Sequence, residues 1–299
     1  MRSIRNYAML LGLLFVTSIG FAQDDTQDDD VQDDGQSNIQ QYTPSKLIGK
    51  GQWDIKWFNN LYTQTESTFT EGREPRQTFF TSTFEIYTGV GQNNRWNVGV
   101  IARIRSNVVN DRSALDVFSF DGAEDARSGL TAFAPSVKFV PFASLSNFSI
   151  QSSIFIPLID NETENSFNVF LDQNGFVWQN RLFYDYTFPG GDWQLFSELT
   201  TELNFGNEDD SFANNSLNLN PGLFLSYFPS SNFTVLVLAQ HSQRLDLGND
   251  FTQNFTALGG GAKFQLSKAL NLELLYTNFV RGDNTGLGQT FNIGLRGIF

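Results

Sequence analysis

The single histidine of the chain, His241, is followed at once by a hydroxyl, in Gln240-His241-Ser242-Gln243. A base beside a serine is the beginning of a hydrolytic site, but only if the two side chains can reach each other. In an extended strand, neighbours project to opposite faces. Ser242 therefore points away from His241, and the next position on the histidine's own face is Gln243. Asn254 could stand near the histidine, but supplies no nucleophile. A histidine in a loop or at an interface is the better reading.

The other candidates for chemistry are charged. Arg103, Arg105, Lys138, Arg181, Lys263 and Arg296 are cations, and Glu85, Asp185, Glu198, Glu202 and Glu273 are anions, all within stretches where apolar and polar residues mix. The Asp-rich tract after residue 23 has Asp30, Gln32, Asp34 and Gly35 at spacings loosely like the start of an EF-hand loop. Its twelfth position is Gln41, not glutamate, and no flanking helices are evident. There is no cysteine, so disulfides and thiolate metal sites are excluded. No phosphate-binding loop, dinucleotide fingerprint or zinc-binding histidine pair is present. We expect neither a cofactor nor a metal. A net charge of -13 speaks against nucleic acid as a partner.

What positions these charges is a set of alternating strands. Trp53, Ile55, Trp57 and Leu61 lie opposite Asp54, Lys56 and Asn60; Trp96, Val98, Val100 and Ile104 lie opposite Asn97, Gly99, Arg103 and Arg105. Trp178, Leu182, Tyr184 and Tyr186 oppose Gln179, Arg181 and Asp185, and Leu195, Leu199 and Leu203 oppose Gln194, Glu198 and Glu202. Leu272, Leu274 and Tyr276 oppose Asn271, Glu273 and Thr277. Each is a period-two pattern of strand length. Less regular stretches cover 78–90, 130–140, 148–158, 216–228, 233–244, 254–266 and 288–299, with the facing of Val235 to Ala239 left open by a continuous apolar run.

The connections alternate. Short ones rich in Gly, Pro, Asn and Ser fall at 91–94, 143–146, 189–192, 229–232 and 267–269; longer polar ones fall at 64–77, 106–129, 159–174, 206–215, 245–253 and 281–287. Short periplasmic turns and longer extracellular loops are the plan of a transmembrane barrel. Counting them predicts an all-β fold: an antiparallel transmembrane barrel of about twelve strands, with both termini periplasmic. Phe142 and Phe148, Phe188 and Trp193, and Phe228 and Phe233 flank the short turns, where an interfacial aromatic girdle is expected. A secreted β-sandwich would also alternate, but explains the alternating loop lengths less well. Overall hydropathy is negative and no run of roughly eighteen apolar residues follows the N-terminal segment, so no membrane helix is expected.

At the N-terminus, Arg2 and Arg5 precede the apolar run Ala8 to Ile19 and the small-residue pattern Gly20-Phe21-Ala22. This is the layout of a secretory signal peptide over 1–22, cut after Ala22. Its loss takes two arginines and leaves the mature charge near -15, about two lower than the -13 of the whole chain. Residues 23–43, with Asp24, Asp25, Asp28, Asp29, Asp30, Asp33 and Asp34, read as a disordered acidic segment. The barrel is expected over 44–299.

The last residues, Gln289 to Phe299, alternate and end in an aromatic residue. This resembles the signal by which outer-membrane barrels are recognised by their assembly machinery. Asn292, Gly294 and Phe299 fit it, whereas Gly297 stands where a hydrophobic residue is usual. Across 44–299 the chain resembles the broad group of outer-membrane transporters. The resemblance is architectural and carries no substrate. It implies outer-membrane lipids and the assembly machinery as partners, with Phe299 as the assembly residue. Among twelve-stranded barrels, the outer membrane phospholipase has its serine two residues after the histidine, a spacing that Gln243 breaks.

Two functions remain. One is a narrow channel or transporter for small solutes, lined by Glu85, Arg103, Arg105, Lys138, Arg181, Asp185, Glu198, Glu202, Glu273 and Arg296. The other is a structural or surface-binding barrel with a closed, salt-bridged interior. About twelve strands enclose more room than the eight that side chains fill, and less than the sixteen to eighteen of general porins.

Overall fold

The computed structural model describes residues 43–159, 167, 169–207, 210–248 and 250–299. The signal peptide and residues 23–42 of the acidic segment lie outside these. The described chain forms twelve strands: β1 (Trp53–Ser67), β2 (Gln77–Val90), β3 (Trp96–Val108), β4 (Ala126–Phe139), β5 (Phe148–Pro157), β6 (Val177–Thr187), β7 (Trp193–Asn204), β8 (Ser216–Ser230), β9 (Phe233–Asp246), β10 (Gln253–Gln265), β11 (Leu270–Asp283) and β12 (Gly286–Ile298). Each pairs antiparallel with its neighbours in sequence, and β1 pairs with β12, so the sheet closes. Closure leaves no unpaired edge, which is what lets a sheet stand in hydrocarbon.

Five connections lie at one end and six at the other. β1 begins and β12 ends at the five-turn end, which by the plan of membrane barrels is periplasmic. The connection expected to be long at 281–287 is a tight turn instead. β11 continues to Asp283 and β12 begins at Gly286, with Asn284 taking the left-handed conformation (φ 50°) that such a turn needs. Polarity there reflects strand ends, not loop length. The loop 109–125 is folded back on the wall: its 3-10 turn Ala114–Phe118 buries Val117 against Phe80, Val108 and Ala126. Arg112 draws the loop together through Asp116, Asp121 and Asp125 (3.1, 2.6 and 3.0 Å), and its hydrogen bonds hold the Asp121 carboxyl down to about 2.

The outward face is a continuous apolar belt. Trp57, Phe84, Val100, Ile154, Leu199, Leu223, Val237, Leu274 and Ile293 are all exposed on it, and a surface of this extent on a closed barrel meets lipid. Rings gather at the turn end: Trp96 on Phe139, Phe142 on Phe148, Trp193 on Tyr227 and Phe233 on Phe264, at centroid separations of 4.8–6.2 Å. Phe228 is a correction to the expected girdle. It lies on the inward register of β8 and is buried, and Tyr227 takes the outer position beside Trp193. The ambiguous run in β9 resolves by exposure. Val235 and Val237 are 44% and 59% exposed, whereas Leu236 and Leu238 are 3% and 5%, so the leucines point inward.

Candidate functional site: the barrel lumen

Register carries one set of side chains inward from every strand. Glu85 stands opposite Lys56 and Ile101, Arg103 opposite Thr83, and Arg181 opposite Gln151 and Thr200. These side chains surround a cavity of about 870 Å3, whose lining includes Lys56, Glu85, Arg103, Arg105, Arg181, Glu198, Lys263, Glu273 and Arg296. Lys138, Asp185 and Glu202 lie on the same inward registers.

The charges are joined. Arg296 makes a two-pronged bond to Asp54 (Nε to Oδ1 2.8 Å, a terminal nitrogen to Oδ2 2.7 Å) across the seam where β12 meets β1. Lys56 lies 3.7 Å from Asp54 and 3.2 Å from Glu85. Glu85 meets Arg181 at 3.4 Å, and Arg181 meets Glu198 at 3.2 Å. Since Glu85 is on β2 and Arg181 on β6, this chain of ion pairs spans the interior and does not merely follow one wall. Thr200 donates to Glu198 (3.1 Å). Glu202 accepts from Gln179 (2.8 Å) and Asn218 (3.0 Å), and Lys263 pairs with Glu273 (2.6 Å). Such pairing is what permits charges in a space only partly open to water.

Two segments that sequence reasoning did not place enter the lumen. From the loop end, residues 169–173 fold inward: Asn107 donates to the Phe170 carbonyl (2.6 Å), and Asp172 lies 3.1 Å from Arg105 and 3.9 Å from Arg103. The apolar Val169 and Leu171 within a polar connection were the available signal, since both are buried. From the turn end, residues 43–50 run across the mouth as a strap. Thr43 bonds Gln194 (3.1 Å), Ser45 donates to Asp185, Lys46 pairs with Asp185 (3.5 Å), and Lys138 donates to the carbonyls of Pro44 and Lys46. Ile48 exchanges two bonds with Asn97 (3.1 and 3.0 Å). The strap passes so close to β2 that a Cβ on Gly89 would lie 1.9 Å from the Gly49 carbonyl oxygen, and only glycine fits. Thr43, assigned from sequence to the acidic segment, is buried here.

The inner face is less polar than alternation suggests. Ile101, Ala132, Ala134, Phe155 and Val177 form a buried cluster inside the barrel, and Phe183 stacks on Phe196 at 6.1 Å, which meets Phe224 at a tilt at 5.5 Å. A lumen of this width is narrow enough for side chains from opposite walls to bury one another, so an inward position need not be polar.

His241 faces outward on β9 and meets Thr256 (3.0 Å), while Ser242 faces inward and donates to Asn220 (2.6 Å). Phe299 is exposed beyond the end of β12, with its backbone bonded to Trp53 in both directions (2.8 and 2.9 Å). Its ring lies over Gly297, where a Cβ would come within 2.6 Å of a ring carbon. The departure of Gly297 from the usual terminal pattern therefore makes room for the final ring. Among the described residues no cluster of metal-binding side chains is found.

Comparison with known proteins bears on the fold. No family model matches the chain, and no curated protein sequence matches it. Among solved structures, an outer-membrane channel from Pseudomonas putida F1 superposes with a TM-score of 0.65 at 10% identity, covering 86% of this chain and 98% of that one. The beta domain of the Bordetella autotransporter Brka superposes with a TM-score of 0.54 at 13% identity, covering 82% of this chain and 98% of that one. The chain thus shares its closed antiparallel architecture with outer-membrane barrel proteins.

Proposed function

We propose that this chain is an outer-membrane channel for small solutes. The observation that carries the reading is the cavity of about 870 Å3 inside a closed, lipid-facing wall, edged by ionisable groups from eight strands. Glu85, Arg103, Arg105, Arg181, Glu198, Glu273 and Arg296 edge it, with Lys138, Asp185 and Glu202 on the same inward registers, and their pairing sets a mixed field that limits passage by size and charge. The chain reaches the membrane by export, with removal of residues 1–22, and is inserted by the barrel assembly machinery through its C-terminal strand. A hydrolytic role has no support in the geometry, because Ser242 and His241 stand on opposite faces of the wall. The strap at residues 43–50 supports a second feature: it restricts the periplasmic mouth.

Purified protein in planar bilayers under salt gradients tests both. The full-length mature chain is expected to give small, discrete conductance steps. Deleting residues 23–50 is expected to enlarge them, because Asp185, Lys138, Asn97 and Gln194 then release the segment that crosses the mouth. A folded barrel silent in both forms would favour the structural, surface-binding reading.

Assembly has its own test. Deleting Phe299 removes the terminal ring and its backbone pairing with Trp53, and is expected to lower the amount of heat-modifiable, folded protein in the outer membrane. An unchanged yield would remove Phe299 from the assembly role.

A further inference from the structure

The loop 109–125 lies on the side of the wall that faces lipid. Leu61 pairs with Phe80 and Trp57 with Phe84, so Phe80 shares the outward register of the belt. Ser106 pairs with Phe80, and two positions farther along the same face Val108 pairs with Ala126. Phe80, Val108 and Ala126 are the residues against which Val117 packs, with Leu61 beside them. The level follows from the turn-end girdle, where Trp96 pairs with Val90. Phe80 stands about ten residues farther along β2, and about nine to eleven residues of tilted strand cross the hydrocarbon. The loop is therefore packed against the outer border of the lipid belt.

Beyond Val117, this loop presents large apolar side chains outward. Leu115, Phe118 and Phe120 are 66%, 49% and 50% exposed. Phe118 meets Phe80 edge-on at 4.9 Å, which sets its ring at the border of the belt. Phe120 takes a left-handed φ of 50°, a conformation that a bulky side chain keeps only where its surroundings hold it. Its neighbours are fixed, since the Ser119 hydroxyl donates to the Asp116 carbonyl (2.6 Å) and to Asp121 (2.9 Å). The polar groups of the loop are turned on one another. Arg112 gathers Asp116, Asp121 and Asp125, and the amides of Asp116 and Ser119 find the carbonyls of Ser113 and Asp116 (3.1 Å each). Internal pairing of this kind is what a segment needs at the edge of hydrocarbon, where water is scarce. Three large apolar side chains on one short loop, packed on a lipid-facing belt, gain more from acyl chains than from water.

We infer that the loop 109–125 is a lipid anchor: Leu115, Phe118 and Phe120 enter the acyl chains of the outer leaflet beside β2 and β3. The inference is independent of conduction. Single cysteines test it, since the native chain has none. Leu115→Cys, Phe118→Cys and Phe120→Cys are made one at a time, so that two of the three apolar side chains remain in each variant. Each carries an NBD fluorophore on the mature protein folded into phosphatidylcholine vesicles, with and without phosphatidylcholine bearing a nitroxide high on its acyl chain. Heat-modifiable mobility shows that each variant is folded. Leu199→Cys on the lipid face and Ala123→Cys, exposed on the same loop, set the two limits. Labels at 115, 118 and 120 are expected to be quenched by the nitroxide lipid at least about twofold more than the Ala123→Cys label, as befits side chains about 5–10 Å into the headgroup and acyl boundary. Quenching no greater than that of the Ala123→Cys label overturns the inference. Labels shielded both from the nitroxide lipid and from iodide in water, with dimers cross-linked through unlabelled Phe118→Cys, overturn it in favour of a second copy of the chain.

Discussion

Replacing Leu199 with arginine will lower the folding stability of the barrel by roughly 2–4 kcal/mol, the cost of a cation on the lipid face near the bilayer midplane. Leu199 stands halfway along β7, outward and exposed, with Leu182 and Pro221 beside it on the adjoining strands. No inward carboxylate can reach it through the wall. Its neighbour in sequence, Glu198, faces the other way, held by Arg181 and Thr200. Glu198→Gln keeps the shape and the hydrogen-bonding capacity, and Arg181 retains Glu85 at 3.4 Å, so that change is expected to cost about 1 kcal/mol. Urea titrations of folding into lipid vesicles measure both. Equal costs for the two variants would mean that the facing of β7 is wrong.

Replacing Arg296 with methionine will destabilise the closed state by about 3 kcal/mol, toward the low end for a broken buried pair. Asp54 would be left with its side chain almost fully covered, and Lys56 at 3.7 Å compensates only in part. The position adds to the effect, because Asp54 and Arg296 tie the first strand to the last, and every other strand pair is joined by a connection in the chain. Substituting Asp54→Leu in the same protein is expected to recover much of the loss, since removing both charges leaves nothing unpaired. The double-mutant cycle in vesicle-folding titrations reads this directly. Equal losses from Arg296→Met alone and from the pair would contradict a coupled seam.

Much of the wall was legible because lipid imposes a rule that depends on sequence alone. Trp57, Val100, Leu182 and Leu199 must be apolar, and their neighbours need not be. That rule placed the strands, and turn residues such as Pro189-Gly190-Gly191 placed their ends. The lumen obeys no comparable rule. Whether Leu236 and Leu238 face inward depends on what stands across the barrel, and a continuous apolar run carries no phase to decide it. Asp54 and Lys56 were visible as polar positions on β1, but their joining to Arg296, Glu85 and Arg181 depends on closure and register between strands far apart in sequence. The strap was harder still. Residues 43–50 alternate with no period, and they bind through carbonyls and hydroxyls that any segment possesses. The tight turn at Asn284-Thr285 was read as a loop because polar residues at strand ends resemble those of a connection.

An aqueous passage lined by the inner face of the wall would make inward side chains, and no outward ones, reachable from water. Single-channel current through Glu198→Cys protein, recorded before and after a water-soluble, charged thiol reagent, tests it most directly, since the native chain has no cysteine to react. Current through Glu198→Cys channels is expected to change in steps as the reagent arrives, while Leu199→Cys channels, whose thiol lies in lipid, conduct as before. A response from Leu199→Cys with none from Glu198→Cys, or channels of both variants untouched by the reagent, would contradict it.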